Sequence, residues 1–433
     1  MSAEYELGRA MRTANRGNDA VQRTREAAAM IGVPEIDPKG INLPSLRSID
    51  EARSVAAMPH LTDRFLLGDF ARGMFGDQWA ATLGQPTHQL EAEEAVDVSF
   101  FRNITGQLLV TWTQKAYMDP QFVGDKLFDT LTEPQPWNLE THIVPKISSV
   151  QQGPNQIQPG MPYGNAQIIQ DYISYPAIGK FGETLNVTLE AMGTDRTGQI
   201  GENAAKLGFR ARYDLEVQQL AVAMGITVTV GTVTIVGNNF SWLGTTYNTY
   251  QTGGSNWVNA LNGVTVAGNN YTMIANLETL MSNILDPYSG IVIGDNLQRS
   301  EMKLLCPYAM RYEFKNILKA DSVRSGPYGT STPNYQENAP NPLDFDYEVL
   351  PSAIAYQLLV ASGVSTSNAL NYWFLANWKK AFKYREVLPW QVITAPLLNE
   401  ADFTQDIVQR IKVRRMGTPG VHDPRFAFKS YGS

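Results

Sequence analysis

Cysteine and histidine are rare in this chain, with one cysteine and four histidines in 433 residues. A single cysteine, Cys306, excludes an internal disulfide, and we expect a small buried side chain in a reducing compartment. The histidines show none of the short spacings that metal sites use, and they stand at His60, His88, His142 and His422. A metal site therefore has no local support, and no cofactor is expected.

Charged residues make up only 18% of the chain, and the formal net charge is −7. This low and slightly negative charge argues against electrostatic binding of nucleic acid by the protein as a whole. The first ten residues place acids where a secretion signal has bases, and the longest apolar run, 353–361, is interrupted by Gln357. We therefore expect neither export nor insertion into a membrane.

Motifs that carry catalytic chemistry are also missing. The chain has no phosphate-binding loop, no dinucleotide fingerprint after a strand and no Gly-x-Ser-x-Gly nucleophile turn. An acid cluster at 91–97 is better explained as the start of a helix, where the helix dipole favours negative charge. Since no nucleophile with a base can be named, the sequence indicates a protein that is not an enzyme.

The most regular part of the chain is 180–224. Residues 184–190 alternate polar and apolar, which is the period of a half-buried strand, and residues 193–198 include turn and helix-cap types. Apolar residues then recur every three, four or seven positions, which predicts one long amphipathic helix over 198–224. The core-facing stripe of this helix contains Ile200, Leu207 and Leu215.

A second unusual stretch, 147–179, contains no Lys, Arg, Glu or His and a single acid, Asp171. Its middle is rich in turn residues, and runs that favour strands flank it. This pattern predicts a long projecting hairpin, with an ordinary disordered loop as the alternative.

The remaining segments predict further helices and strands. Helices are expected over 97–118 and 271–285, strands over 226–236, 347–351, 357–361 and 372–376, and a strand followed by a helix after Pro307 within 304–318. Near the end of the chain, 403–416 alternates between a largely apolar and a largely cationic face, before a turn at 417–420 and a last strand at 425–429. The cations suit pairing between subunits with acids such as Glu202 or Asp214, or contact with phosphate, and the lack of interleaved aromatics favours pairing.

The order of these parts resembles the major capsid protein of tailed bacteriophages, of the Hong Kong 97 type. The resemblance covers roughly 97–433 and depends more on the order of the parts than on any one motif. It rests on the helical run at 100–117, the charge-poor hairpin containing GMPYG, the stretch KFGETLNVTLEAMGTDRTGQIGENAAKLGFRARYDLEVQQL, and the later segments LLCPYAMRYEFKNIL and FTQDIVQRIKVRRMGTPGVHDPRFAFKS.

This resemblance implies an α+β, Hong Kong 97-like fold with an N-arm, an extended E-loop, a P domain with a long spine helix, and an A domain. The implied division is an N-terminal extension at 1–96, the N-arm at 97–145, the E-loop hairpin at 146–180, the P domain with its spine helix at 181–224, the A domain at 225–384 with a β-rich insertion at 226–270, a return to the P domain at 385–415, and a C-terminal strand of the A domain at 416–433.

The same resemblance implies a structural protein that self-assembles as hexamers and pentamers into an icosahedral shell around double-stranded phage DNA, without sequence-specific binding. Portal, scaffolding or decoration proteins would be further partners, with assembly in the host cytoplasm and a final location in the virion capsid. Some members of the family form covalent crosslinks from an E-loop lysine. Because 147–179 contains no lysine, we expect a shell without them.

Charged or apolar residues beside the hairpin, on the spine helix and on the cationic strand are candidates for the subunit interface. They are Lys180, Phe181, Arg210, Arg212, Asp214, Glu216, Arg410, Lys412, Arg414 and Arg415. Two alternatives stay open. An encapsulin-type nanocompartment would enclose protein cargo, and a carbohydrate-binding surface protein would use the aromatic, Asn- and Gly-rich stretch at 237–270.

Overall fold

The structure, a computed structural model, describes residues 5, 8–9, 66–84, 92–119, 121–133, 137–150, 168–195, 197–230, 233–253, 257–262, 272–285, 292–293, 299–319, 322–325, 336–340, 343, 346–395 and 406–431. Helices and strands are both abundant there, so the predicted α+β class is confirmed.

The helices in these ranges are α1 (Leu67–Phe75), α2 (Trp79–Gly84), α3 (Ala92–Tyr117), α4 (Gly124–Leu127), α5 (Leu189–Thr194), α6 (Gln199–Met224), α7 (Thr272–Ser282), α8 (Arg311–Lys319), α9 (Ala353–Ala361), α10 (Thr366–Ala369) and α11 (Trp378–Ala381). The strands are β1 (Asp129–Thr132), β2 (His142–Val150), β3 (Ile168–Tyr175), β4 (Gly179–Thr188), β5 (Thr227–Val230), β6 (Val233–Val236), β7 (Asn239–Trp242), β8 (Thr245–Asn248), β9 (Ala260–Asn262), β10 (Lys303–Pro307), β11 (Ser322–Ser325), β12 (Gln336–Pro340), β13 (Glu348–Ser352), β14 (Trp373–Ala376), β15 (Phe382–Thr394), β16 (Ile407–Val421) and β17 (Ala427–Tyr431).

Two compact units divide the chain, and each is assembled from three separate chain segments. The first unit consists of Met1–Asp119, Lys180–Tyr213 and Leu388–Arg415, and the second of Pro120–Gly179, Asp214–Val387 and Met416–Ser433.

The first unit has a core in which α1, α2, α3 and the beginning of α6 pack with strands β4 and β16. Neighbouring helices come very close at Gly208 of α6, where an added Cβ would collide with the carbonyl oxygen of Thr113 in α3. The Thr113 hydroxyl also donates to the Ala204 carbonyl at 3.1 Å. The buried residues of this core are Leu67, Phe70, Ala71, Met74, Trp79, Leu83, Val98, Phe101, Leu108, Leu109, Trp112, Val187, Met192, Ile200, Ala204, Val408 and Ile411.

The long helix α6 begins where a carboxylate satisfies the free backbone N–H groups of its first turn. Asp195 Oδ1 accepts from the amides of Thr197, Gly198 and Gln199 at 3.1, 2.8 and 3.0 Å, and Oδ2 accepts from Ile200 at 3.1 Å. Gly198 has φ +76°, which a glycine adopts without strain. The predicted capped turn and long helix are both confirmed.

The second unit is built around a five-stranded sheet in the order β13-β10-β14-β17-β9. Helices α7 and α8 cover one face of this sheet through Ile274, Leu277 and Phe314, each completely buried. Cys306 lies in the same core, and burial raises the pKa of its thiol to about 12. The predicted helix at 271–285 and the strand-to-helix change after Pro307 are confirmed.

The predicted hairpin is present as the antiparallel pair β2 and β3, which runs from His142 paired with Tyr175 to Val150 paired with Ile168. Its middle, 151–167, lies outside the described residues. Strands β7 and β8 extend this pair into a four-stranded sheet, because Ile173 of β3 pairs with Trp242 of β7. Part of the predicted insertion at 226–270 therefore continues the sheet of the hairpin.

Two local predictions are wrong. The expected strand at 357–361 is the end of helix α9, which starts where the hydroxyl of Ser352 accepts from the Ala355 amide at 3.2 Å. The expected turn at 417–420 is a continuation of strand β16. Gly417 and Gly420 are needed there because added Cβ atoms would collide with Tyr384 and Tyr175.

Candidate assembly surface

The cationic strand β16 alternates in burial along its first half. Ile411 and Val413 are buried, whereas Lys412 is exposed and Arg410 and Arg414 are half-buried. This is the two-residue period of a strand with one face towards the core. In the first unit, β16 lies between β4 and β15.

The two arginines of this exposed face bind neutral amides. Arg410 Nε donates to Asn186 Oδ1 at 2.8 Å, and Arg414 donates from Nε and Nη2 to Gln391 Oε1 at 3.2 and 3.0 Å. An amide oxygen orients a guanidinium but does not neutralise it. Within the described part of the chain, Arg410, Lys412 and Arg414 form no ion pair with a carboxylate.

Arg415 does not belong to this exposed face, which corrects the predicted grouping of four cations. Its position has the same parity as Ile411 and Val413, so it points inward and is only 3% exposed. Its guanidinium carbon lies 4.3 Å from the ring centre of Phe181, a cation–π contact within the first unit. Phe181 is half-buried, and its neighbour Lys180 is exposed.

The charged residues of α6 also divide into outward and inward positions. Arg210 is exposed and lies 5.8 Å from the ring of Tyr213. Arg212 is 5% exposed, and its guanidinium lies 5.8 Å from the ring of Tyr117, which stacks on Trp390 at 4.2 Å. Arg212 is therefore an internal residue, and its prediction as a surface contact is wrong.

Asp214 is half-buried, and Glu216 is only 1% exposed. The Glu216 carboxylate accepts from the amides of Val123 and Gly124 at 2.9 Å each, at the start of α4. Glu216 therefore holds a turn of its own chain, and its prediction as an interface residue is wrong. From sequence a charged side chain is expected at the surface, and the backbone partners of Glu216 lie 93 and 92 residues away in the chain, where no local pattern indicates them.

Of the three residues predicted to face the core from α6, the first and the last in the chain are buried. Ile200 is 8% exposed and Leu215 is 5% exposed. Leu207 is half-buried and packs against the core of the first unit.

A family model described as phage capsid protein matches residues 172–430, which is well over half of the chain. The chain belongs to the phage capsid protein family. A comparison with curated proteins found no match.

This capsid protein is also similar to several solved capsid structures. The asymmetric unit of the bacteriophage PhiM1 mature capsid is 12% identical, with 71% of this chain and 86% of that chain covered and a TM-score of 0.39. The capsid of an empty GTA particle is 8% identical, with coverages of 73% and 91% and a TM-score of 0.43. The capsid of the cyanophage P-SCSP1u is 11% identical, with coverages of 72% and 88% and a TM-score of 0.39.

The aromatic stretch that suggested sugar binding is a packed cluster in the capsid protein. Trp242 and Trp257 are each 4% exposed, and their ring centres lie 5.3 Å apart. Phe240 is 8% exposed and lies 5.9 Å from Trp257. These rings stabilise the fold and do not form an open face on which a sugar ring could stack.

Sequence reasoning missed exposed apolar side chains close to the hairpin. Trp137, Leu139 and Ile143 are 44, 42 and 57% exposed. The available signal was a Trp and a Leu in a short proline-flanked connection, directly before strand β2.

None of the helices in the described ranges of the capsid protein is long and apolar enough to cross a membrane. Within the same ranges, no group of three or more His, Cys, Asp or Glu side chains is placed to hold a metal ion.

Proposed function

We propose that this protein is the major subunit of a phage head, which self-assembles as hexamers and pentamers into an icosahedral shell around double-stranded DNA. The observation that carries the proposal is the match of 172–430 to the phage capsid protein family. Its role in the particle is structural and not catalytic.

The Hong Kong 97-like division of the subunit is part of this proposal. We assign α3 to the N-arm, the pair β2 and β3 to the E-loop, α6 to the spine helix, and the five-stranded sheet to the A domain. Strand β3 of this hairpin pairs with β7 of the same chain, and any part of a hairpin that projects beyond its own subunit gains buried area only against a neighbour.

The exposed face of β16 is the charged surface that best fits a contact between subunits. No carboxylate in the described part of the chain pairs with Arg410, Lys412 or Arg414. The chain as a whole carries a net charge of −7. Acidic groups on a neighbouring copy would therefore be attracted to this face and would fix the register of the contact. Lys180 and Arg210, both exposed, stay interface candidates, and so does the half-buried Asp214.

The proposed shell is held together without covalent links between subunits. Residues 147–179 contain no lysine, so this part of the E-loop has no amine for an isopeptide bond. Assembly would take place in the host cytoplasm, with portal, scaffolding or decoration proteins as additional partners.

Particles purified after expression in bacteria test this function. Negative-stain images should show closed shells, and denaturing electrophoresis should show one subunit band. Nuclease-protected double-stranded DNA in particles from infected cells supports the phage head. A protein cargo without DNA would instead support the encapsulin-type compartment, and a ladder of linked subunits would contradict the non-covalent shell.

A further inference from the structure

Four apolar side chains of one short segment face solvent in the second unit. Leu131, Trp137, Leu139 and Ile143 are 36, 44, 42 and 57% exposed. We call the described residues 131–133 and 137–143 the apolar segment. It leads directly into the hairpin, since β2 begins at His142.

A buried arginine holds the backbone of this segment. Arg385 of β15 is 2% exposed, and its Nε and Nη2 donate to the two carboxylate oxygens of Glu133 at 2.9 and 3.2 Å. Its Nη1 donates to the carbonyl of Glu140 at 2.9 Å, and Nη2 also donates to the carbonyl of Asn138. On the other side, the Ile178 amide donates to the Leu139 carbonyl at 2.9 Å.

Burying a guanidinium costs free energy unless its donors are satisfied, so a buried ion pair is by itself weak evidence for added stability. Here the N–H groups of Arg385 donate to residues of the apolar segment itself. The ion pair is bidentate, and its hydrogen bond from Arg385 lowers the pKa of Glu133. The backbone at 138–140 is thus held by hydrogen bonds while Trp137 and Leu139 remain exposed, which is the arrangement of a surface organised in advance for a partner.

Charge decides which kind of partner fits this surface. Residues 129–143 contain no Lys or Arg, so they supply no ammonium or guanidinium group for the phosphates of nucleic acid or of an anionic membrane. Of the three acids in 129–143, two are paired, because Glu133 pairs with Arg385 and Asp129 pairs with Lys383 at 2.6 Å. What remains is a largely neutral, apolar surface, which suits an apolar patch on another protein.

We propose that the apolar segment, held by Arg385, is a contact surface for a second copy of this chain in the shell. The proposal rests on the proposed function, since a shell brings many copies of the chain together. Trp137 has the size and the amphipathic ring that anchor protein interfaces, and Leu139 and Ile143 would exclude water around it.

Trp137→Ser and Ile143→Ser test this contact, because both positions are exposed and neither change disturbs a core. Tyr312→Ser and Val236→Ser are the matched controls, since these side chains are 64 and 53% exposed and lie outside the segment. The fraction of protein that sediments as particles is measured, with circular dichroism of the soluble fraction as the check on folding.

We expect the two segment variants to lose particle yield at least about tenfold while the soluble subunit stays folded, as for a central interface residue. Both controls should assemble like the wild type. Normal particle yields for Trp137→Ser and Ile143→Ser, beside an assembling wild type, overturn this contact and leave the proposed function standing. A wild type that stays monomeric overturns both.

Discussion

Glu216 Oε2 accepts a hydrogen bond from the backbone amide of Gly124 at 2.9 Å, and Oε1 accepts one from Val123 at the same distance. Glu216→Ala leaves both N–H groups buried without this acceptor. We expect a loss of about 3 kcal/mol in the free energy of unfolding, since each unsatisfied buried donor costs roughly 1–3 kcal/mol. Urea denaturation of the unassembled subunit measures this loss. Glu202→Ala, at a side chain 65% exposed on the same helix, should change it by less than about 0.5 kcal/mol.

Asp195 caps the long helix, and its removal should weaken that helix from the first turn. Asp195→Ala should cost about 1–2 kcal/mol, the upper part of the range for N-cap residues, because four amides lose their acceptor. Asp195→Asn keeps one acceptor oxygen and should cost clearly less. Thermal unfolding of the three proteins at one scan rate should rank them wild type, Asn and Ala. Equal midpoints for wild type and Ala would show that the cap does not stabilise the fold.

For Gly208→Ala, helix propensity and packing predict opposite changes in stability. Alanine in a helix is favoured over glycine by about 1 kcal/mol, so propensity alone predicts a more stable protein. The structure predicts a loss of about 2 kcal/mol or more for Gly208→Ala, because the new Cβ would meet the Thr113 carbonyl of the neighbouring helix. Gly253→Ala, where a Cβ meets nothing within 4 Å, is the control. A higher unfolding midpoint for Gly208→Ala would refute the close helix contact.

Lys429 sits among aromatic rings, with its Nζ 5.0, 5.5 and 5.7 Å from the ring centres of Tyr372, Tyr431 and Tyr250. Burial lowers the pKa of Lys429 to about 8 from 10.5. The unfolded chain therefore binds more protons between these pH values, and this residue makes stability rise as the pH increases from about 8 to 10.5.

Lys429→Met should consequently stabilise the subunit at pH 7, where the buried charge is fully present. The pKa difference corresponds to at most about 3 kcal/mol, and we expect about 1–2 kcal/mol after loss of the contacts with the rings. The gain should shrink towards pH 10.5. Lys412→Met, which removes an exposed lysine, is the control and should change the stability at pH 7 by less than about 0.5 kcal/mol. A gain that is constant with pH would contradict the assignment.

The structural elements that could be predicted from sequence are those determined by residues close to one another in the chain. The carboxylate of Asp195 lies within five residues of every amide it caps, and the stripe with Ile200 repeats along one helix. The alternation of β16 was visible in the same way. Applied strictly, its two-residue period would also have placed Arg415 inside.

The parts that could not be predicted depend on residues far apart in the chain. Glu216 finds its partners at 123 and 124, and Arg385 finds its partners between 133 and 140. Gly417 looks like a turn residue in sequence, yet it continues a strand because Tyr384 lies against it. These contacts cannot be predicted from the spacing or the composition of the sequence.

Cryo-electron microscopy of the particles formed by the full-length chain is the most direct test of its role as a shell subunit. We expect closed particles with icosahedral symmetry, built from rings of six and of five subunits that contact one another through β16 and the apolar segment. A protein that remains monomeric, or that forms only open aggregates without icosahedral symmetry, would contradict it.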